Sequence, residues 1–124
     1  MNEKDEGLVV TGEEAGGGFY RLRVRGSLEL STADALRTSV AQVMREGHVN
    51  LLLDLNGVEY MDSSGLAVLL GTLRRVRERQ GSLRLVCQVR PVLRLLSLTG
   101  IDRLLPIHPD EDEALHAPPA GEDS

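Results

Sequence analysis

A chain of 124 residues and 13.5 kDa with 41% hydrophobic content holds material for one folded domain and is too short for two. Its one cysteine, Cys87, excludes an intramolecular disulfide framework and a cysteine-rich metal site, and two Tyr, one Phe and no Trp leave no aromatic platform for single-stranded nucleic acid. The net charge of -5 is unevenly spread: residues 1–18 carry five acids against one Lys, residues 109–124 six acids and no Lys or Arg, and the span between thirteen Arg against eight acids. That middle suits an acidic partner or nucleic acid, and equally a solvated domain kept soluble by acidic ends. The amino end, MNEKDEGLVV, is acidic where a secretory signal is basic and then apolar, and no run is long enough to cross a bilayer, so a soluble cytoplasmic protein is expected.

In chain order, residues 1–7 read as a flexible acidic end, and Leu8 to Thr11 as an edge strand before the Gly16-Gly17-Gly18 break. Phe19 to Arg25 alternates, with Tyr20, Leu22 and Val24 on one face and Arg21, Arg23 and Arg25 on the other, toward water or a partner. Gly26 to Leu30 reads as a loop. Ser31 is placed to cap a helix, with Asp34 reaching back in the manner of a capping box; Ala33, Leu36, Val40, Val43 and Met44 form its buried stripe and Gly47 its end. Val49 to Leu55 is aliphatic enough for a buried strand. A helix follows, with its stripe at Leu66, Leu69, Leu70, Leu73 and Val76. Gln80-Gly81 turns the chain into a strand over Ser82 to Val89, in which Cys87 reads as a small core residue. Pro91 opens a short helix with its stripe at Val92, Leu95 and Leu96 and Leu98 as a further candidate, ended by Thr99-Gly100. Leu104 to His108 reads as a last strand, confined to an edge or bulge by Pro106. The acids from Asp110 suit a final helical turn or two to His116, and residues 117–124 read as a disordered tail. The alternation predicts a single α/β domain over residues 8–116, with a mixed, mostly parallel central sheet and crossover helices packed against it.

The tetrad Asp62-Ser63-Ser64-Gly65 sits where the central strand hands over to the central helix. Asp62 is a good N-cap, which puts both serines in the first turn, at a site that tolerates negative charge. Catalytic machinery is hard to assemble around them. A serine hydrolase needs a base and an oriented partner for that base, and the glycine that precedes the serine of a nucleophile elbow is missing. No phosphate-binding loop, dinucleotide fingerprint or metal-ligand spacing occurs, so neither cofactor nor metal is expected. A kinase supplied by another protein would need no base here. A phosphate on Ser63 would suit the helix end yet set uncompensated charge beside Asp62 against any surface fitted to a neutral serine. The plain alternative is that both serines only satisfy first-turn amides.

Leu53-Asp54-Leu55, Val58 to Leu66, Gly26-x-Leu28-Glu29-x-x-Thr32-Ala33 and Leu95-x-x-x-x-Gly100-Ile101 together resemble the STAS-domain family of bacterial anti-sigma-factor antagonists, over roughly Leu8 to His116. The resemblance implies a STAS-like fold and a partner switch. The unphosphorylated antagonist binds an anti-sigma serine kinase and frees a sigma factor, phosphorylation of the residue matching Ser63 releases the kinase, and a serine phosphatase resets the switch. It implies a contact surface at Glu29, Ser31, Thr32, Asp62, Ser64, Gly65 and Leu66, and a regulator that is no enzyme, contacts neither nucleic acid nor membrane directly, and is a monomer or weak dimer. Glu29 stands where the family often has Asp, and Ala67 where it often has Gly. The alternatives are a STAS scaffold or transporter adaptor in which Ser63 is never modified, and a nucleic-acid-binding domain using Arg74, Arg75, Arg77 and Arg79.

Overall fold

The computed structural model describes residues 7–117 and the backbone of Asn2–Asp5; apart from Ala117, the expected disordered tail lies outside the described residues. The strands are β1 (Asn2–Asp5), β2 (Leu8–Gly16), β3 (Phe19–Leu28), β4 (Asn50–Met61), β5 (Ser82–Val86) and β6 (Ile107–His108). The helices are α1 (Ala33–Arg45), α2 (Ser63–Glu78), α3 (Arg90–Leu98) and α4 (Glu111–His116), with one 3-10 turn at Ile101–Arg103. The six strands form one sheet in chain order, antiparallel from β1 to β3 and parallel from β3 to β6. Each parallel pair requires a crossover, and α1, α2 and α3 supply them.

Strand periodicity divides the sheet into two unlike faces. Leu22 and Val24 of β3, Leu51, Leu53 and Leu55 of β4, and Leu83, Leu85 and Cys87 share one buried cluster with Leu36, Val40 and Val43 of α1, Leu69, Leu73 and Val76 of α2, and Val92 and Leu96 of α3. Leu52 and Val86 point the other way and pack with Ala114 of α4 in a much smaller cluster. The buried charged residues of this second face are Arg21 and Arg84. Arg21, expected at the surface, is buried between Glu13 and Glu111, because the side of β3 turned away from the large core is covered by α4.

Four further departures have local causes. Asn2–Asp5 falls in the stretch expected to be flexible, but its backbone pairs with β2 from Asn2↔Thr11 to Asp5↔Leu8, an order set by ladder hydrogen bonds and invisible to hydrophobic pattern. β3 runs on through the expected loop to Leu28, and β4 runs six residues past Leu55. Two register shifts, between Arg23 and Arg25 and between Gly26 and Ser27, mark bulges in β4, and the buried residues there, Leu55, Val58 and Met61, come at every third position. Alternation lapses at a bulge, so the strand is hidden from a period-two reading. Leu70 is exposed and Val68 and Thr72 are buried instead, because α2 packs on α1 as well as on the sheet. The last strand is only Ile107–His108; Leu104 is exposed and follows the 3-10 turn.

Candidate functional site

β3 and β4 end side by side, with Leu28 paired to Met61. The Asp62 amide then donates to the Leu28 carbonyl at 3.2 Å, so the segment after β3 and the start of α2 are joined by backbone. Asp62 is extended and is the N-cap of α2: its carboxylate accepts from the Ser64 amide at 2.8 Å, and its carbonyl accepts from the Gly65 and Leu66 amides at 3.0 and 3.2 Å. Because Asp62 performs the capping, the hydroxyl of Ser63 is not needed for it. Ser63 is exposed and Ser64 half-buried. The site is therefore a free hydroxyl on the positive end of a sixteen-residue helix.

The first turn of α2 fits closely over the strand ends. A Cβ added to Gly65 would lie 2.8 Å from Met61 Cγ and 2.9 Å from Leu28 Cγ, so glycine is what lets the helix approach. Gly65 and Leu66 are both buried in the free domain, where they set the height and angle of Ser63.

Across from them, Thr32 is 2% exposed and is likewise internal. Its hydroxyl donates to the Ser27 carbonyl at 2.6 Å and accepts from the Glu29 amide at 3.0 Å, which knots residues 27–32 into a fixed loop. This corrects the expected capping box: Thr32, not Ser31, is the N-cap of α1, its side chain is spent on the loop, and Asp34 pairs with Arg37. The residues that do face solvent on this loop are Leu30 and Ser31, with Glu29 half-buried. Leu30 is 81% exposed, and Tyr60, on β4 opposite Ser27, is 55% exposed. Sequence reasoning passed over both. For Leu30 the signal was a large apolar residue set between polar neighbours, Glu29-Leu30-Ser31, outside any core periodicity; Tyr60, between Glu59 and Met61, carried no such signal.

The histidines lie elsewhere. His48 precedes β4 and stacks on Tyr20, with ring centroids 4.3 Å apart, at the far end of the strand that delivers Ser63. His108 shares a register line with Val86 and Asp54, nine residues before Ser63, which is on the order of 25 Å along the strand. Cys87 is buried, and burial pushes its thiol pKa up, so it is an apolar filler. Two members of the arginine cluster on α2 close local structure: Arg77 donates to the Leu104 carbonyl and Arg79 to the Met44 carbonyl, each at 3.0 Å. Among the described residues no group of three or more His, Cys, Asp or Glu is placed to hold a metal ion, and no helix is long and apolar enough to cross a membrane.

The sequence model of the STAS domain family matches residues 14–114. The chain belongs to the STAS domain family. The anti-sigma F factor antagonist of Paenibacillus polymyxa is 34% identical over 100 residues, spanning 79% of this chain and 85% of that protein. The anti-sigma-B factor antagonist of Bacillus subtilis is 31% identical over 87 residues, spanning 70% and 79%. Among solved structures, an anti-sigma factor antagonist from Mycobacterium paratuberculosis matches with a TM-score of 0.80 at 27% identity, covering 91% of this chain and 95% of that one. As a STAS domain, the protein presents Ser63 from the helix that follows the central strand.

Proposed function

We propose that this STAS protein is an anti-sigma-factor antagonist that works by partner switching inside the cell. In its unmodified form it binds an anti-sigma serine kinase through Leu30, Ser31, Glu29, Tyr60 and the Ser63 end of α2, and so frees a sigma factor. Phosphorylation of Ser63 ends the contact, and a serine phosphatase restores it. The protein catalyses nothing itself and acts as a monomer or weak dimer. The observation that carries this reading is the Ser63 hydroxyl, exposed in the first turn of α2 and relieved of capping by Asp62. The relatives named as anti-sigma antagonists support it.

A phosphate there adds about -1.5 to -2 charges at a helix end that favours anions, so the domain keeps its fold while a partner surface matched to a neutral hydroxyl meets a dianion beside Asp62. Tyr60 is of the residue type enriched among binding hot spots, and Leu30 adds apolar area that a partner would bury. The test mixes the purified protein with its cognate kinase and ATP and maps the modified residue by mass spectrometry. Ser63 should carry the phosphate, and Ser63→Glu should weaken kinase binding by at least about tenfold, near 1.4 kcal/mol. Modification at another residue, or undiminished binding by Ser63→Glu, sinks the proposal.

A further inference from the structure

On the sheet face opposite α2, Arg21 of β3, Leu52 of β4 and Arg84 of β5 stand in one register row, with Glu13 of β2 at its end. α4 lies over this row. Arg21, 7% exposed, pairs with Glu13 and with Glu111 of α4. Arg84, 4% exposed, has no carboxylate partner among the described residues: it donates to the Ala114 carbonyl and sits 4.6 Å from the centre of the Phe19 ring. A buried guanidinium held by one neutral carbonyl is poorly compensated. The shortfall is general under α4, where Arg21 Nε, Arg84 Nε, His108 Nε2 and Glu111 Oε1 are all buried without a hydrogen-bond partner. These are four of the five such atoms among the described residues, and all four lie at the seam with α4.

α4 has six residues, too few to be helical without its contacts. Its apolar share of the seam is Ala114 and the half-buried Leu115 against Leu52, Val86 and Phe19. Arg23, half-exposed beside Asp54, is still within reach of Glu111, and the exposed Arg25, two residues further along β3, carries positive charge past the reach of the helix.

We infer that this arginine-lined sheet face is a docking surface for an acidic amphipathic helix of a partner protein, and that α4 is an exchangeable occupant supplied by the chain itself. α4 shows the required chemistry: a carboxylate for Arg21 and Arg23, then a small and an apolar residue three and four positions on for the Leu52–Val86 floor. A longer acidic helix would add acceptors for the two unpartnered Nε atoms and reach Arg25. The surface lies on the opposite side of the sheet from α2, so it can be engaged together with the Ser63 end, and it does not depend on the switch proposed there.

The test uses the full chain and a fluorescent 21-residue peptide of three tandem copies of residues 110–116, with a scrambled peptide of equal charge as control. Glu111→Lys repels α4 from Arg21 and Arg23; it should speed amide exchange at residues 112–116 and tighten the ordered peptide at least about tenfold over the unmodified chain. Arg25→Glu, at an exposed position, should weaken the peptide at least about tenfold with the thermal midpoint unchanged. Should Glu111→Lys fail to fold, Glu111→Gln reads the same two quantities. Unchanged exchange at 112–116, or faster exchange without tighter binding, overturns the inference. Equal affinity for the scrambled peptide overturns it too, in favour of a general polyanion sink.

Discussion

Two glycines of α2 have opposite reasons for being glycine. Gly65 is pressed against Met61 and Leu28, whereas a Cβ at Gly71 would meet nothing within 4 Å. Gly71→Ala should therefore stabilise the domain by about 0.5–1 kcal/mol, the helix preference of alanine. Gly65→Ala should destabilise it by about 1–3 kcal/mol through overpacking. Urea midpoints with unchanged slopes measure both, and equal effects would mean that the helix end is not seated as described. Single residues were legible where their job is local. Asp62 caps α2 from its own side chain, and the sequence shows that. Thr32 works through Ser27 and Glu29 in a fold not yet known to the reader of the sequence, so the neighbouring Ser31 looked the better cap. Gly65, Leu66 and Thr32 were named for contact, and their burial gives them the task of holding Ser63 and Leu30 in place.

At the level of elements, α1, α2 and α3 were legible because a 3.6-residue stripe facing one sheet survives any detail of packing. β4 was cut short at Leu55, since its bulges turn the spacing of Leu55, Val58 and Met61 into threes. The α4 seam was hidden for another reason: Arg21 alternates as a surface residue should, and only the return of Glu111 from ninety residues away buries it. That seam gives the fold a pH dependence. Burial first, and Arg84 second, hold the His108 ring below its ordinary pKa of 6.5, with Glu113 and Asp110 pulling the other way. The unfolded chain therefore takes the proton near pH 6.5 and the folded domain only at lower pH. Stability is intact above that range and falls as pH drops through 6.5 toward the folded value. His108→Gln should flatten the loss of urea midpoint between about pH 7.5 and 5.5. A variant that loses as much as the parent would show that His108 is not the group responsible.

For the molecule as a whole, what matters is that the proposed switch leaves the fold alone. Ser63→Glu places an anion on the first turn of α2, where the helix dipole favours it by about 0.3–1 kcal/mol, so the thermal midpoint should hold or rise slightly. A fall of several degrees would mean that loss of binding reports unfolding and not charge. The one-domain α/β plan, the order of elements from β2 onward and the place of Ser63 could be read from the chain. The unequal faces of the sheet could not, because they depend on where the last helix lands.

The hydrogen bond from the Asp62 amide to Leu28, and the Thr32 knot beyond it, make the loop and the helix start a single rigid piece. On the function proposed above, the kinase that modifies Ser63 receives a folded object and not an extended strand of substrate. On that proposal its selectivity is written in shape, with Leu30 and Tyr60 part of the recognised surface along with the residues either side of the serine. A linear peptide of residues 58–68 should accordingly be a poor substrate beside the folded domain, and a consensus sequence compiled from such peptides would say little about which proteins this kinase modifies.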